Sequence, residues 1–278
     1  MNPADEQIPD HSALSLRFLG VGNAQAAELG ASAAVLENHA EPILLIDCGP
    51  DTLSRFRQRY GEVEPSALFI THAHFDHIGG LEGWFYRLMT NNIDRRPKLY
   101  IPVKLLPVLQ RRIADYPNFM AEGGCNFWEA FQLIPVSERF WLNDLLFDLF
   151  PVRHHEYDTA FGLALKGHFL FTGDTLPIPE VLIRFASHGE LIFHDCTVEE
   201  SPSHTSLSEI KRTYRPEQWH RMIFYHYASL SDRKLIEATG LRVAIPEQSY
   251  PLSPARKPYS HLQISCIHSE QHEKSELN

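Results

Sequence analysis

Cysteine is sparse and unpaired in this chain of 278 residues: Cys48, Cys125, Cys196 and Cys266 are its four copies, and no two of them form a CxxC step. That spacing excludes a zinc ribbon, a dithiol redox motif and a cystine-stapled secreted scaffold, and it fits a reducing compartment. No run of eighteen apolar residues occurs, and residues 1–12 carry acids and prolines where a secretory leader carries a basic segment and an apolar one. A soluble cytoplasmic protein that spans no membrane is therefore expected. Positive charge is also in deficit: 25 Lys and Arg against 35 Asp and Glu leave a formal net charge of −10, and an acidic chain is poorly suited to neutralising a nucleic-acid backbone. No repeat with a period of twenty to fifty residues is visible, which excludes solenoids and propellers.

What the chain has in excess is histidine, with 16 copies, the commonest metal ligand among side chains that are neutral near pH 7. The apolar share of 44% and the length suffice for a core that buries roughly 75% of the unfolded surface. A polar leader over 1–13 precedes one domain over 14–250. Residues 251–278, rich in Pro, Ser, Glu, Lys and His and poor in apolar residues, are expected to form a disordered tail. Within the domain, residues 14–20, 33–38, 42–47, 67–71, 99–102, 146–152, 161–166, 168–172, 191–194 and 222–225 read as strands. Helices are expected over 51–60, from the glycines at 79 and 80 onward, and over 105–116. An aromatic-rich stretch, Phe119, Phe127, Trp128, Phe131, Phe140 and Trp141, reads as core or interface, with a pocket wall or a base-stacking surface as alternatives.

The chemistry concentrates in His72-x-His74-x-Asp76-His77, which follows an apolar strand and precedes Gly79-Gly80. Alternate side chains of an extended segment point the same way, so His72, His74 and Asp76 converge and a turn lets His77 join them. Four ligand-type side chains within six residues predict a metal site. Further histidines and aspartates sit at later strand ends, in Arg153-His154-His155, Gly173-Asp174, His194-Asp195-Cys196-Thr197, Ser203-His204-Thr205-Ser206 and Tyr225-His226-Tyr227. Taken singly, a histidine after a strand is more often a hydrogen-bonded turn residue.

The run Thr71-His72-Ala73-His74-Phe75-Asp76-His77 resembles the signature of the metallo-β-lactamase fold hydrolases. That resemblance implies a four-layer α/β/β/α sandwich whose loops hold two divalent ions at one edge, zinc first with manganese as the alternative. It further implies that one ion takes His72, His74 and His155, with His154 as the rival of His155. The other takes Asp76, His77 and His226, and Asp174 bridges the pair. A water held between the ions then supplies hydroxide as nucleophile, oriented by Asp76. Asp47, in Ile46-Asp47-Cys48-Gly49, is similar to an aspartate behind the ligands that fixes an imidazole tautomer, the alternative being an Asp-x-Gly turn.

Two further pieces narrow the family. His194-Asp195-Cys196-Thr197 and Ser203-His204-Thr205 resemble the His-Glu-Ala-Thr and His-Ser-Thr signatures of the ribonuclease Z branch, and the segments around Gly20-Val21-Gly22-Asn23 and Asp47 to Thr52 are similar to the same branch. The resemblance covers residues 15–247 and implies a phosphodiesterase in which His204 assists charge on the phosphate or its leaving oxygen while Asp195 orients His204. A helix-entry role for His204, with Ser206 or Ser208 as the cap, is the alternative. Only 19 positions separate His155 from Asp174, too few for the long arm of transfer-RNA processing enzymes. The expected substrate is therefore a small or cyclic phosphodiester, a cyclic nucleotide first, and not structured RNA. A carbon-ester hydrolase (lactonase or thioesterase) of the same fold, assisted by Tyr225 or Tyr227, and a catalytically vestigial metal-binding partner module are the competing readings. A homodimer is the family expectation.

Overall fold

The computed structural model describes residues 14–91, 96–114 and 126–252. In chain order they form β1 (Leu14–Gly20), β2 (Ala33–Asn38), β3 (Glu41–Ile46), α1 (Thr52–Tyr60), β4 (Ala67–Phe69), α2 (Phe75–Ile78), α3 (Leu81–Thr90), β5 (Lys98–Pro102) and α4 (Leu106–Leu109). There follow β6 (Gln132–Val136), β7 (Arg139–Leu142), β8 (Leu145–Pro151), β9 (Phe161–Leu165), β10 (Phe169–Phe171), α5 (Pro179–Phe185) and β11 (Leu191–Asp195). The last elements are α6 (Leu207–Thr213), α7 (Pro216–Trp219), β12 (Met222–Tyr225), α8 (Leu230–Glu237), β13 (Arg242–Val243) and β14 (Ser249–Pro251).

The strands make two seven-stranded mixed sheets, ordered β14-β1-β2-β3-β4-β5-β6 and β13-β12-β11-β10-β9-β8-β7. In the first, β1 to β3 pair antiparallel and β3 to β6 parallel. In the second, β7 to β10 pair antiparallel and β10 to β13 parallel. Period-2 patterning decides which face is buried: Leu14, Leu16 and Phe18 of β1 are buried while Ser15 and Arg17 between them are only partly so. Phe18 projects onto the opposite sheet, its ring centroid 5.6 Å from Phe193 and 5.4 Å from Tyr225. Facing aromatics of this kind carry a large share of the burial that joins two sheets. On the outer face, Arg17 and Tyr60 both donate to Glu37 at 2.7 Å, which fastens α1 over β1 and β2. The helices thus flank the pair of sheets, and the four-layer sandwich is the architecture found.

Three expectations are refined. The metal-type motif is extended only as far as His74, and Asp76 and His77 lie on the single turn of α2. The carbonyl of His74 accepts from the amides of both His77 and Ile78 at 3.0 Å, so the chain turns into a helix there, and α3 begins only after Gly80. In the aromatic-rich stretch, Phe127, Phe131 and Phe140 are core residues while Trp141 is exposed, and Phe119 lies outside the described residues. The expected tail begins inside the sheet: Pro251 belongs to β14, and the buried Leu252 donates its amide to Leu14 at 2.9 Å. Residues 1–13 and 253–278 lie outside the described residues, so the expected leader and the rest of the expected tail do too. Among the described residues, no helix is long and apolar enough to cross a membrane.

Candidate metal centre and active site

Parallel strands deliver the site. Asp47 follows β3, residues 71–77 follow β4, Asp174 follows β10, Asp195 ends β11 and His226 follows β12, so side chains from both sheets meet at the carboxyl ends of their strands, where open α/β sheets form ligand crevices. Two of these exits are strained. Asp47 has φ +63° and His226 φ +70°, left-handed conformations that cost a non-glycine residue about 1–3 kcal/mol. Hydrogen bonds hold both in place. Asp47 accepts from the Thr71 amide at 2.8 Å, the Thr71 hydroxyl at 2.7 Å and His77 Nδ1 at 2.8 Å, and the His226 amide donates to Val21 at 2.7 Å. Gly49 is required beside them, because a Cβ there would stand 2.2 Å from the Asp76 carbonyl oxygen.

His77, His72 and His154 are each oriented through Nδ1 and present Nε2. His77 Nδ1 donates to Asp47, leaving Nε2 3.2 Å from Asp174 and 3.5 Å from Asp76. His72 Nδ1 donates to the Thr71 hydroxyl at 3.1 Å, leaving Nε2 3.6 Å from Asp174. His154 Nδ1 donates to the Ser203 carbonyl at 2.8 Å, leaving Nε2 3.0 Å from His74 Nδ1 and 3.9 Å from Asp174. His226 Nε2 stands 3.1 Å from Asp174 and 3.3 Å from Asp76. Two groups of donor atoms, His72, His74, His154 and Asp174, and Asp76, His77, Asp174 and His226, each span no more than 4.8 Å, and a third group of the same span, Asp174, Asp195, His204 and His226, overlaps them at the edge of the cluster. Neighbouring ligands of a tetrahedral ion with bonds of 2.0–2.1 Å lie about 3.3 Å apart, so both groups have the span of a coordination sphere. His72 Nε2, His77 Nε2 and Asp174 Oδ1 are buried without a hydrogen-bond partner. Dry lone pairs converging in this way are satisfied by a cation, and the donor set fits one.

The expected ligand His155 is not in either group. Beyond β8 the chain turns through residues 153–158, the period-2 parity of the strand is lost, and His155 Nδ1 is directed to the Thr159 hydroxyl while His154 enters the cluster. Sequence reasoning also misses the orienting groups on Ser203 and Thr175, because they are backbone atoms that any residue type supplies.

His204 lies at the edge of the cluster, 20% exposed, with Nδ1 2.8 Å from Asp195 and 3.9 Å from Asp174. Asp195 is buried and also accepts from the Thr175 amide at 2.9 Å. Ser206 caps α6 in a reciprocal pair with Glu209, so the two readings of the 203–206 segment are compatible: Ser206 starts the helix and His204 is free to face the site. His194 is directed away, to Tyr214 and the Asp195 carbonyl. A cleft of about 470 Å³ opens over His74, Asp76, Asp174, His204 and His226, bordered further out by Asn23, Gln25, Glu199 and Glu200.

The electrostatics of the two groups differ. Burial pushes His72 well below the ordinary imidazole value, and burial together with His154 and His155 lowers His74 to about 4. His154 is lowered by burial as well. In the other group burial again opposes charge, but Asp174 and Asp47 raise His77 well above its ordinary value, and Asp174, Asp195 and Asp76 raise His226 to about 10. Against burial, His226, His77 and His72 hold the Asp174 carboxyl well below the usual carboxylate range. Asp195 similarly outweighs burial in raising His204.

This sandwich and its histidine–aspartate centre define a metal-dependent phosphodiesterase of the metallo-β-lactamase fold. The family described as anti-Pycsar protein Apyc1 matches residues 14–250, and the chain belongs to that family. It is 28% identical over 250 residues to the anti-Pycsar protein Apyc1 of Paenibacillus harenae, which covers 85% of this chain and 99% of that protein. It is 26% identical over 229 residues to the human zinc phosphodiesterase ELAC protein 2, covering 70% of this chain and 27% of that protein. Among solved structures, a diphosphatase of the PhnP family superposes with a TM-score of 0.68 at 18% identity, covering 88% of this chain and 100% of that one. The metallo-β-lactamase fold protein YhfI of Bacillus subtilis does so with 0.65 at 14% identity, covering 85% and 98%.

Proposed function

We propose that this phosphodiesterase opens a small cyclic phosphodiester, a cyclic nucleotide in the first instance, with two zinc ions as cofactors and manganese as the alternative metal. His72, His74, His154 and Asp174 would hold one ion and Asp76, His77, Asp174 and His226 the other, Asp174 being the residue that the two donor groups share. Bound there, the ions supply an acidified water as nucleophile and offset charge on the phosphate oxygens. Asp76, which reaches both His77 and His226, orients the attacking water. His204 keeps Nδ1 on Asp195 and offers Nε2 to the cleft, where it donates a proton to the leaving oxygen. Asp195 beside it raises the His204 imidazole above its ordinary value, which favours the protonated form that such a donor needs.

The single observation that carries this reading is the Asp195–His204 pair at 2.8 Å beside the metal-type cluster, because it sets an imidazole proton donor at the cleft, and protonation turns a poor alkoxide leaving group into a good one. A cleft of about 470 Å³ is in the range of small-molecule sites, and between His154 and Asp174 the chain forms β9 and β10 with no protruding arm to grip structured RNA. Buried free cysteines at 48 and 196 are in keeping with a reducing, cytoplasmic setting, and a homodimer is the family expectation.

The test is elemental analysis of bound metal together with hydrolysis of a 3′,5′-cyclic nucleotide by the wild type and His204→Ala. Two ions per chain are expected, with kcat on the cyclic nucleotide falling about 10²–10³-fold in the variant. The loss should be smaller on bis-p-nitrophenyl phosphate, whose leaving group needs no proton, and smallest on p-nitrophenyl acetate. Equal losses on all three would undermine the role given to His204, metal without phosphodiesterase activity but with ester hydrolysis would favour the carbon-ester hydrolase, and a metal-loaded protein inert on phosphodiesters, esters and thioesters would favour the vestigial module.

A further inference from the structure

A second cleft, of about 380 Å³, meets the main one at His74, the one residue that lines both. Its other walls carry Val108, Arg111, Arg112, His155, Glu156 and Thr159. The arginines are presented by a local irregularity: α4 runs on into a π-helical turn over Gln110–Ala114, whose Leu109 and Ala114 flanks are buried while Arg111 and Arg112 are exposed. Single π-helical turns of this kind are frequent at functional sites. Neither guanidinium has an ion pair or hydrogen bond among the described residues, although the chain is acidic overall and other arginines are paired, Arg87 with Glu62 and Glu64 and Arg153 with Glu180 among them. The main cleft has the opposite character, with Glu199, Glu200 and Asp232 on its rim.

Resting on the phosphodiesterase reading, we propose that the cleft of Arg111 and Arg112 is an anion-receiving lobe that holds the phosphoryl end of the substrate against the metal centre and so directs its organic portion into the main cleft. Glu156 offsets one of the two positive charges, so the lobe keeps a net positive lining against the acidic rim of the main cleft, and that contrast favours this polarity. A phosphodiester approaching the acidic rim is repelled there and attracted at the two guanidiniums, which recognise phosphate oxygens through paired N–H donors. His155, which stands outside the cluster and is fixed by the Thr159 hydroxyl, lines the same cleft with its ring centroid 5.0 Å from that of His74. Hydrolysis of a cyclic diester leaves a phosphomonoester with a second ionisable oxygen, so the same lobe binds the product more tightly than the substrate. Arg111 and Arg112 are therefore positioning residues that act on affinity and orientation.

The double variant Arg111→Ala/Arg112→Ala of the full, metal-loaded chain tests this with two readouts. In steady state on bis-p-nitrophenyl phosphate, KM should rise about 5- to 20-fold with a smaller change in kcat, and the decline of kcat/KM with added salt should flatten. By calorimetry, the Kd of inorganic phosphate should rise by a similar factor. A KM and a phosphate Kd both within twofold of wild type, with the salt dependence retained, would overturn the proposal. Failure of the wild type to cleave phosphodiesters would instead remove the functional reading, and the calorimetric comparison would still decide whether the lobe binds an anion.

Discussion

The two halves of the centre share Asp174 but have opposite electrostatic character. In the half formed by His72, His74 and His154 no carboxylate besides Asp174 is part of the donor group, and burial leaves the imidazoles neutral, with His74 lowered to about 4. In the half formed by Asp76, His77 and His226, three carboxylates surround His226 and raise it to about 10. A cation would enter the first half without displacing protons at neutral pH, whereas in the second it would have to replace protons that already neutralise the carboxylates. Burial alone therefore does not decide how a buried histidine behaves; the count of carboxylates facing it does.

The largest effect should come from removing what the halves share. Asp174→Asn is expected to lose metal from both and to lower cyclic phosphodiester hydrolysis by on the order of 10³-fold or more; retention of two ions by elemental analysis would break the comparison. Next is the pH dependence of metal affinity. Between pH 8 and pH 6, chelator competition should show the ion of the carboxylate-rich half weakening about 100-fold, since at least one proton is displaced below about pH 10. The ion of the imidazole-rich half should change by less than about threefold, and parallel changes in both would refute the assignment. Asp47→Asn comes third: without the carboxylate that orients His77, affinity should fall about 10–100-fold for one ion and little for the other.

The smallest effect is on stability. His226 is raised from 6.5 to about 10, so in the metal-free protein its contribution is complete below pH 6.5 and is lost as pH rises through about 10. Asp174 is lowered, so its contribution is complete above its ordinary value and is lost only as acid protonates it. Metal-free protein should therefore lose a few degrees of Tm between pH 6.5 and pH 10, and a Tm that rises across this interval would contradict the charge assignment.

Much of the fold and of the centre is legible in the order of the residues. The alternation of Leu14, Leu16 and Phe18 announces a strand with one buried face, and the His72-x-His74-x-Asp76-His77 run is dense enough in ligand types to declare its chemistry. Asp174 and His226 are legible only through their order in a family pattern, since one aspartate after a glycine and one histidine after a strand are common turn residues. The choice between His154 and His155 is not legible, because side-chain direction is predictable only while strand parity lasts and the chain leaves β8 at Pro151. Arg111 and Arg112 give no signal either: two adjacent basic residues in a helical pattern ordinarily mark a solvated face.

Sequence by itself determined the alternating patterns that make two sheets, the residue types able to bind a divalent cation, and the loop lengths that leave no room for a long arm. Those properties are local, set by side-chain chemistry and by the periods of strand and helix. Tertiary structure alone decided which histidine enters the cluster, which imidazoles stay neutral and which are charged, and which arginines face the cleft. Each of these depends on distances between residues far apart in the chain, such as the 3.1 Å between His226 and Asp174, and electrostatic energies vary with such distances and with the burial that only the packed sandwich creates.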